Sequence, residues 1–254
     1  MNKIKEKKIL EKFKKGFHKI VKMGWIPSKR FHDTGIGKTF EDFIGVIENN
    51  KASVDYEGLI ELKSARELSK AMVTVFTKSP NPRGINTKIR ETFGYFDKEH
   101  KDKKILHTTF SATRFNSSKG KFGFKLETDF EQEKIFVRIK NLKKNVMDNS
   151  IEAHYKWDKL KEIVKDKCKY IIFIEAKSKK EKGQEFFKFE KAILLSGLTF
   201  NKFLKFLQMG VIKYDFRIGV YRSGEKKGKN HDHGSGFRVH KKDLKKLFKI
   251  TELD

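Results

Sequence analysis

The sequence predicts a mixed α/β fold, with a mixed sheet flanked by helices. Apolar residues recur at helical spacing in several segments, and short runs rich in β-formers occupy much of the remaining chain. The two kinds of segment are interleaved along the chain rather than grouped. With 254 residues and 24 phenylalanines, the chain is long enough for one domain, or two closely packed lobes, with a substantial core.

The predicted helices begin at the N-terminus, where residues 3–22 place apolar side chains on one helical face. The glycine-containing segment HDTGIGKT follows and is predicted to be a tight turn. We expect the next helix to carry Glu41 and to begin with a capping box of Thr39 and Asp42. Its apolar face would contain Phe40, Phe43, Ile44 and Ile47. Further helices are predicted at residues 155–166, at residues 199–208 and in a Lys-rich C-terminal segment.

The predicted strands are short runs of β-branched and aromatic residues, several of them alternating polar and apolar. The loop KSPNPRGINT follows the third of these strands. The predicted strands are SVDY, LIELKS, AMVTVFT, LHTTFSAT, FGFKLE, KIFVRI, YIIFIEAK, EFFKFEKAILL, YDFRIGVY and GFRV.

The charge balance indicates a polyanionic partner, because the formal net charge is +26. Nucleic acid is the default partner of this kind, although AT-rich coding could explain part of the lysine excess. A single cysteine, Cys168, excludes a disulfide framework and a Cys-rich zinc site. No apolar run approaches the ~20 residues of a membrane span, and the N-terminus lacks a signal-peptide apolar region. We therefore expect a soluble, cytoplasmic protein that does not act at a membrane.

The segment Asp55–Lys63 contains the sharpest chemical pattern. If residues 60–63 form a strand, Glu61 and Lys63 share one face, and an acid at Asp55 can converge on them. Two carboxylates can hold a hard cation, and a lysine can position water or stabilise charge beside a phosphate. The alternative is a solvated Glu/Lys pair, which is common in a chain with 36% charged residues. The similar Glu175–Ala176–Lys177 is interpreted as surface charge, because no acid precedes it at a comparable distance.

A phosphate-binding loop is not expected in HDTGIGKT, although the segment ends like one. The first glycine of that motif would fall at His32. We therefore expect no nucleotide cofactor, and we interpret the glycines as the turn before the helix of Glu41.

The segment from residue 215 to residue 238 is a candidate for DNA contact. His231–Asp232–His233 lacks further ligands for a zinc site, and it lies in a basic loop rich in glycine. Only nine of the 59 basic residues are arginine, yet Arg217, Arg222 and Arg238 bracket this loop. Arginine can form two parallel hydrogen bonds to guanine. A solvated loop and chance clustering remain alternatives.

Two further basic side chains belong to this interpretation. Arg83 in SPNPRG is a second candidate for contact with a base. Lys227 is expected to touch phosphates, because an ammonium lacks the forked geometry of a guanidinium.

Four long stretches together resemble the MvaI/BcnI family of type II restriction endonucleases, whose fold is similar to that of the repair nickase MutH. The resemblance spans most of the chain. The four stretches are GWIPSKRFHDTGIGKTFED, LIELKS, FTKSPNPRGINTKIR and DFRIGVYRSGEKKGKNHDHGSGFRV.

The resemblance implies a PD-(D/E)xK nuclease fold with two lobes around a DNA cleft. Residues 1–105 would form mainly the catalytic lobe and residues 106–254 mainly the DNA-recognition lobe. It further implies a monomer that cleaves double-stranded DNA with Mg²⁺ at a short CC-N-GG-like site. A MutH-like strand-nicking enzyme and a catalytically inactive DNA-binding module remain the alternatives.

The resemblance also assigns roles to residues. Asp55 and Glu61 would bind the metal, Lys63 would be the catalytic lysine, and Glu41 would be an additional acid. Where the family has a proline or a similar turn residue before the first acid, Val54 stands here, so Glu57 remains an alternative to Asp55. The residues that fall in the recognition region are Asp215, Arg217, His231, His233 and Arg238.

Overall fold

The computed structural model describes residues 2–30, 34–46, 54–116 and 121–253. The chain folds into two compact units, each built from separate stretches. Unit 1 comprises Met1–Ala71, Val164–Leu198 and Leu244–Asp254, and unit 2 comprises Met72–Ile163 and Thr199–Asp243. The chain therefore does not divide at the boundary that we predicted between residues 105 and 106. Strands distant in sequence pair with the N-terminal elements, and this pairing cannot be read from local patterns.

The described residues confirm the predicted mixed α/β fold. Their α-helices are α1 (Lys3–Lys22), α2 (Gly35–Ile44), α3 (Ile85–Phe93), α4 (Trp157–Lys167), α5 (Phe200–Gln208) and α6 (Leu244–Leu247). Their strands are β1 (Trp25–Pro27), β2 (Glu61–Arg66), β3 (Val73–Thr77), β4 (Tyr95–Phe96), β5 (Lys104–Phe110), β6 (Phe122–Asp129), β7 (Lys134–Asn141), β8 (Val146–Asp148), β9 (His154–Lys156), β10 (Tyr170–Glu181), β11 (Gln184–Ser196), β12 (Lys213–Val220), β13 (Asn230–Asp232), β14 (Gly236–Val239) and β15 (Lys249–Glu252).

Unit 1 contains a mixed sheet in the order β1-β11-β10-β2, with β15 also paired to β11. Strand β10 is antiparallel to β11 and parallel to β2, so that Ile171 lies opposite Glu61 and Phe173 opposite Lys63. The apolar run YIIFI forms the first half of β10, and its Ile172 is fully buried, as expected for a strand covered on both faces. This buried strand fixes the position of β2 beside it.

Helices α1 and α2 cover the sheet of unit 1 through an aromatic cluster. Phe13 and Phe17 of α1 and Phe40 of α2 are at most 2% exposed. The ring centroids of Phe40 and Phe189 on β11 lie 5.2 Å apart. The apolar face predicted for residues 3–22 is thus the face that packs on the sheet.

Unit 2 contains two sheets. One has the order β3-β14-β12-β5-β4, with β13 paired to β12, and the other has the order β6-β7-β8, with β9 paired to β7. Strand β12 alternates as predicted, because Tyr214, Phe216 and Ile218 are at most 4% exposed while Asp215 and Arg217 point to the opposite face. One face of β12 therefore belongs to the core, and the other carries charged side chains.

The N-terminal half of the chain corrects two predictions. GIGKT is not a turn, because α2 begins at Gly35, and Thr39 lies within the helix rather than at its start. Thr39 is fully buried and its Oγ1 accepts a hydrogen bond from the backbone N of Lys29 at 2.9 Å. The predicted capping box of Thr39 and Asp42 is therefore wrong, since Thr34 is the N-cap and makes no side-chain capping bond.

The predicted strand SVDY is also wrong in its described part. Residues 55–59 belong to a turn, in which the backbone N of Ile60 donates to the carbonyl of Tyr56 at 3.1 Å. The turn continues directly after Tyr56 with positive φ at Glu57 (51°) and Gly58 (64°), so the chain is not extended there. Ser53 lies outside the described residues, as does Ile47, which we had placed on the apolar face of the second helix.

Two further segments differ from their predicted secondary structure. The segment INTKIRETF, partly predicted as loop, forms α3, whose Ile85, Ile89 and Phe93 are buried at helical spacing. The Lys-rich C-terminal segment is only partly helical, because α6 ends at Leu247 and β15 follows it to pair with β11.

Candidate active site and polar face of unit 2

Asp55, Glu61 and Lys63 form one cluster in unit 1. Lys63 Nζ lies 2.6 Å from Glu61 Oε1, so the two side chains share a face at the start of β2. Asp55 Oδ2 accepts a hydrogen bond from the backbone N of Leu62 at 2.8 Å, which ties the preceding turn to the same strand. The turn thus brings the first acid to the strand that carries the second acid and the lysine. We call these three residues the carboxylate–lysine cluster.

The two carboxylates of this cluster lie in surroundings that disfavour their negative charge. Burial raises the pKa of Asp55, and the negative charge of Glu61 raises it further. Glu61 is only 6% exposed, and its Oε2 has no hydrogen-bond partner among the residues that the structure describes. A cation bound to these oxygens would offset the repulsion between Asp55 and Glu61. It would also give the buried Oε2 atom of Glu61 a partner.

The carboxylates of the cluster are oxygen ligands of the kind that suits a hard divalent cation such as Mg²⁺. Within residues 2–30, 34–46, 54–116 and 121–253, no group of three or more His, Cys, Asp or Glu side chains could hold a metal ion. Mg²⁺ is commonly held by one or two carboxylates and keeps water or substrate phosphate as its other ligands. Asp55 and Glu61 supply two such carboxylates, one of them with a buried oxygen free of hydrogen bonds.

Glu41 lies on α2, close to the strand of the cluster. A Cβ added to Gly37 would lie 3.8 Å from Glu41 Oε1 and 3.3 Å from Oγ of Ser64, the residue after Lys63. The glycine therefore allows α2 to approach β2 closely. Its role is close helix–strand packing and not the turn that we had predicted, while the role of Glu41 as an additional acid remains a prediction.

Gly35 has a similar packing role. A Cβ on Gly35 would lie 2.4 Å from the carbonyl oxygen of Arg30 and 2.6 Å from Ser28 Oγ. The two glycines of HDTGIGKT thus serve contacts within unit 1.

The alternative acid and the second E-x-K pattern lie in different surroundings. Glu57 is ion-paired with Lys12 of α1, with its side chain 40% exposed. Lys177 Nζ lies 2.8 Å from Glu190 Oε2, and half of the Lys177 side chain is exposed. Neither Glu57 nor the Glu175–Ala176–Lys177 segment has the buried, mutually repelling carboxylates of the carboxylate–lysine cluster.

The charged face of β12 in unit 2 holds several of the predicted DNA-contacting residues. Asp215 Oδ1 accepts a hydrogen bond from Thr109 Oγ1 at 2.9 Å, and its Oδ2 lies 3.2 Å from Arg238 Nε. Burial and the positive charge of Arg217 both lower the pKa of Arg238. The Nε of Arg238 makes no hydrogen bond within the described part of the chain, although it is buried. We call this surface the polar face of unit 2, and it consists of His107, Thr109, Asp215, Arg217, Gly219, His231, His233 and Arg238.

Histidines crowd one end of the polar face. His231 stacks on Tyr221 with ring centroids 4.1 Å apart, and it meets His233 edge-on at 4.4 Å. His107 of β5 reaches the same place, with its ring centroid 6.2 Å from that of His233. Sequence reasoning missed His107 and Thr109, whose only signal was their alternation with buried residues along β5.

Asp232 orders the turn that carries the histidines. Its Oδ1 accepts hydrogen bonds from the backbone N atoms of Gly234 (3.0 Å) and Ser235 (2.7 Å). Its Oδ2 accepts from Asn86 Nδ2 of α3 at 2.9 Å. Ser235 Oγ then accepts from the backbone N of Arg217 at 2.9 Å. The middle residue of His–Asp–His is therefore an organiser of the turn, which the sequence did not indicate.

The remaining basic candidates differ in their surroundings. Arg222 binds Asp97 through two hydrogen bonds of 2.7 and 2.6 Å, and this pairing holds the pKa of Asp97 well below its usual range. Arg222 therefore anchors the base of the 221–230 loop. Arg83 and Lys227 are both exposed, Arg83 before α3 and Lys227 in that loop.

Among the described residues, no helix combines the length and the apolar character needed to cross a bilayer.

The chain is similar in sequence and fold to known restriction endonucleases. The model of the MvaI/BcnI restriction endonuclease family matches residues 14–248. A complex of restriction endonuclease MvaI with its cognate DNA substrate is 35% identical, with a TM-score of 0.90 and 100% of both chains covered. MvaI in the absence of DNA is 33% identical, with a TM-score of 0.58 over 100% of this chain and 99% of that chain. A comparison with curated proteins gave no match. Because the family model covers most of its length, the chain belongs to the MvaI/BcnI restriction endonuclease family.

Proposed function

We propose that the protein is a type II restriction endonuclease that hydrolyses double-stranded DNA with Mg²⁺ at a short CC-N-GG-like site. The observation that carries this proposal is the carboxylate–lysine cluster, in a chain of this family. The similarity to a structure of MvaI with cognate DNA supports a duplex substrate. We also propose that the protein acts as a monomer in the cytoplasm, without a nucleotide cofactor.

In the proposed mechanism, Asp55 and Glu61 would hold the metal ion, while the Oε1 atom of Glu61 accepts from Lys63. A magnesium ion bound there would neutralise charge on the scissile phosphate and acidify a coordinated water. The ammonium of Lys63 would donate to the attacking water or to a phosphate oxygen, and would thereby stabilise the charge that develops on hydrolysis. Glu41, beside β2, would act as a further acid near the reacting phosphate.

Sequence recognition is proposed for the polar face of unit 2. Arg217 and Arg238 carry forked donors suited to guanine O6 and N7, and Asp215 can orient Arg238 or accept from cytosine N4. His231 and His233 can each donate to a guanine acceptor. The exposed Arg83 is a further candidate for base contact, and the exposed Lys227 is suited to phosphates.

Plasmid digestion with Mg²⁺ tests the catalytic assignment. We expect discrete fragments from the wild type, and no cleavage but intact sequence-specific binding from Glu61→Ala and Lys63→Ala. Lys177→Ala is the matched control, because it changes the second E-x-K pattern, and it should cut normally. Substantial cutting by both cluster variants would contradict the assignment. Nicked circles from the wild type would indicate a strand-nicking enzyme, and no cutting would indicate a binding module.

Competition binding in Ca²⁺ tests the recognition assignment. Arg217→Ala should lose roughly 1–3 kcal/mol of discrimination at one base position. Lys227→Ala should weaken binding to all duplexes alike, because a phosphate contact carries no sequence information. Equal losses for both variants on every duplex would mean that this segment only grips the backbone.

A further inference from the structure

His107 lies on the polar face of unit 2 but outside the stretches that carry the resemblance. In the antiparallel register of β5 and β12, it is directly opposite Arg217, and Thr109 is directly opposite Asp215. Directly opposed residues have Cβ atoms about 4.5–5.5 Å apart and point to the same side of the sheet. Because His107 is also exposed, its imidazole is available to whatever contacts Arg217.

Gly219 leaves space for two imidazoles to converge. A Cβ at this position would lie 2.9 Å from His233 Nε2 and 3.1 Å from His107 Nε2. The imidazoles of His107 and His233 come from different segments. Both Nε2 atoms nevertheless lie over Gly219, which has no side chain. Any side chain at residue 219 would push them aside.

The surroundings of these histidines favour neutral rings. Partial desolvation of its ring and the positive charge of Arg217 lower the pKa of His107. Burial and the neighbouring His231 lower the pKa of His233, to which His107 also contributes. A neutral imidazole carries one N–H donor and one acceptor lone pair, whereas a guanidinium only donates.

The acceptors of the polar face matter for base reading, because a guanidinium cannot accept. Asp215 is one acceptor, although one of its oxygens accepts from Thr109 and the other is ion-paired with Arg238. The amino groups of cytosine N4 and adenine N6 can be read in the major groove only by an acceptor. An imidazole lone pair beside Arg217 would supply that acceptor without adding a charge.

We propose that His107 is a further specificity-determining residue of this enzyme, which reads a base edge together with His233 above Gly219. The inference rests on the proposed function, because it assumes that the polar face of unit 2 meets the bases of a DNA duplex. It assigns the choice at one base position to a hydrogen bond that an imidazole nitrogen accepts from the amino group of a base.

Competition binding in Ca²⁺ with a CC-N-GG duplex and its single-base variants tests this inference. His107→Ala should lose about three- to tenfold of discrimination at one base position, as expected for one hydrogen bond. Its affinity for an unrelated duplex should not change. His107→Gln should recover part of the discrimination, because its amide both donates and accepts. Gly219→Ala should weaken discrimination at the same position although it removes no polar group.

Two controls keep the outcomes separate. His18→Ala removes an exposed histidine from α1 of unit 1 and should leave discrimination unchanged. Unchanged discrimination in His107→Ala, or an equal loss of affinity for all duplexes, would overturn the inference while the proposed function stands. Failure of the wild type to prefer any duplex would instead contradict the proposed function, and the inference with it.

Discussion

Replacing Lys63 by methionine should destabilise the protein as well as inactivate it. The substitution removes the 2.6 Å charge-assisted hydrogen bond to Glu61, a carboxylate that is only 6% exposed. Hydrogen bonds to charged groups contribute about 1.5–3 kcal/mol, and Lys63 is shielded enough, at 24% side-chain exposure, for solvent to screen this one only in part. Because each kcal/mol shifts the melting temperature of a domain of this size by roughly 2–4 °C, we expect a fall of about 3–12 °C.

Thermal unfolding in EDTA measures this effect. Added Mg²⁺ should restore part of the loss in Lys63→Met, because a cation at Asp55 and Glu61 replaces the charge of the missing ammonium. Lys177→Met is the matched control, since its ion pair with Glu190 is half exposed and should contribute little. Equal melting temperatures for Lys63→Met and Lys177→Met would refute the reasoning.

The carboxylate–lysine cluster, the ion pair of Asp97 with Arg222 and the net charge each give a further prediction. Glu61→Gln should abolish cleavage and lower the melting temperature in EDTA by less than Lys63→Met, because an amide oxygen still accepts from Lys63 and the repulsion that raises the pKa of Asp55 is removed; a fall as large as that of Lys63→Met would count against this. Arg222→Ala should lose less stability than the wild type on acidification. The lowered pKa of Asp97 contributes stability that is fully present above the unfolded value of about 3.9 and is lost as pH falls below that value toward the lower pKa of the folded state. Unfolding at a series of pH values checks this, and parallel curves would speak against it. DNA affinity should fall steeply with salt, by about −0.9 in the log–log slope for each neutralised phosphate, and a slope near zero would show that the +26 charge is not used on DNA.

Periodicity predicted the elements that bury a continuous apolar face. The helical spacing of Phe13 and Phe17 predicted α1, and the alternation along YDFRIGVY predicted β12. In both segments the spacing of apolar residues shows which face is buried in the core. The same signal was present in Ile85 and Ile89 of α3, but the preceding SPNPRG led us to predict that its first part was loop. Backbone conformation was harder to predict, because Asp55 and Tyr56 of the predicted strand SVDY belong to a turn that continues with positive φ at Glu57.

Long-range contacts account for what the sequence did not predict. The pairing of β15 with β11 places the C-terminal segment in unit 1. No local sequence pattern predicts this pairing. Asp97 and Arg222 are far apart in sequence, so the anchoring role of Arg222 emerged only from their contact. His107 is a single histidine in an ordinary strand, and only the register with Arg217 brings it to the polar face. The carboxylate–lysine cluster could be predicted because its members lie within nine residues of one another.

The central claim is that this protein cuts duplex DNA at one short sequence. Sequencing the ends of genomic DNA digested by the purified protein with Mg²⁺ tests it most directly. We predict that the ends will share one CC-N-GG-like sequence, cut at a fixed position, and that Lys63→Ala will produce no such ends. Ends scattered without a common sequence, or the same ends from Lys63→Ala, would contradict the account.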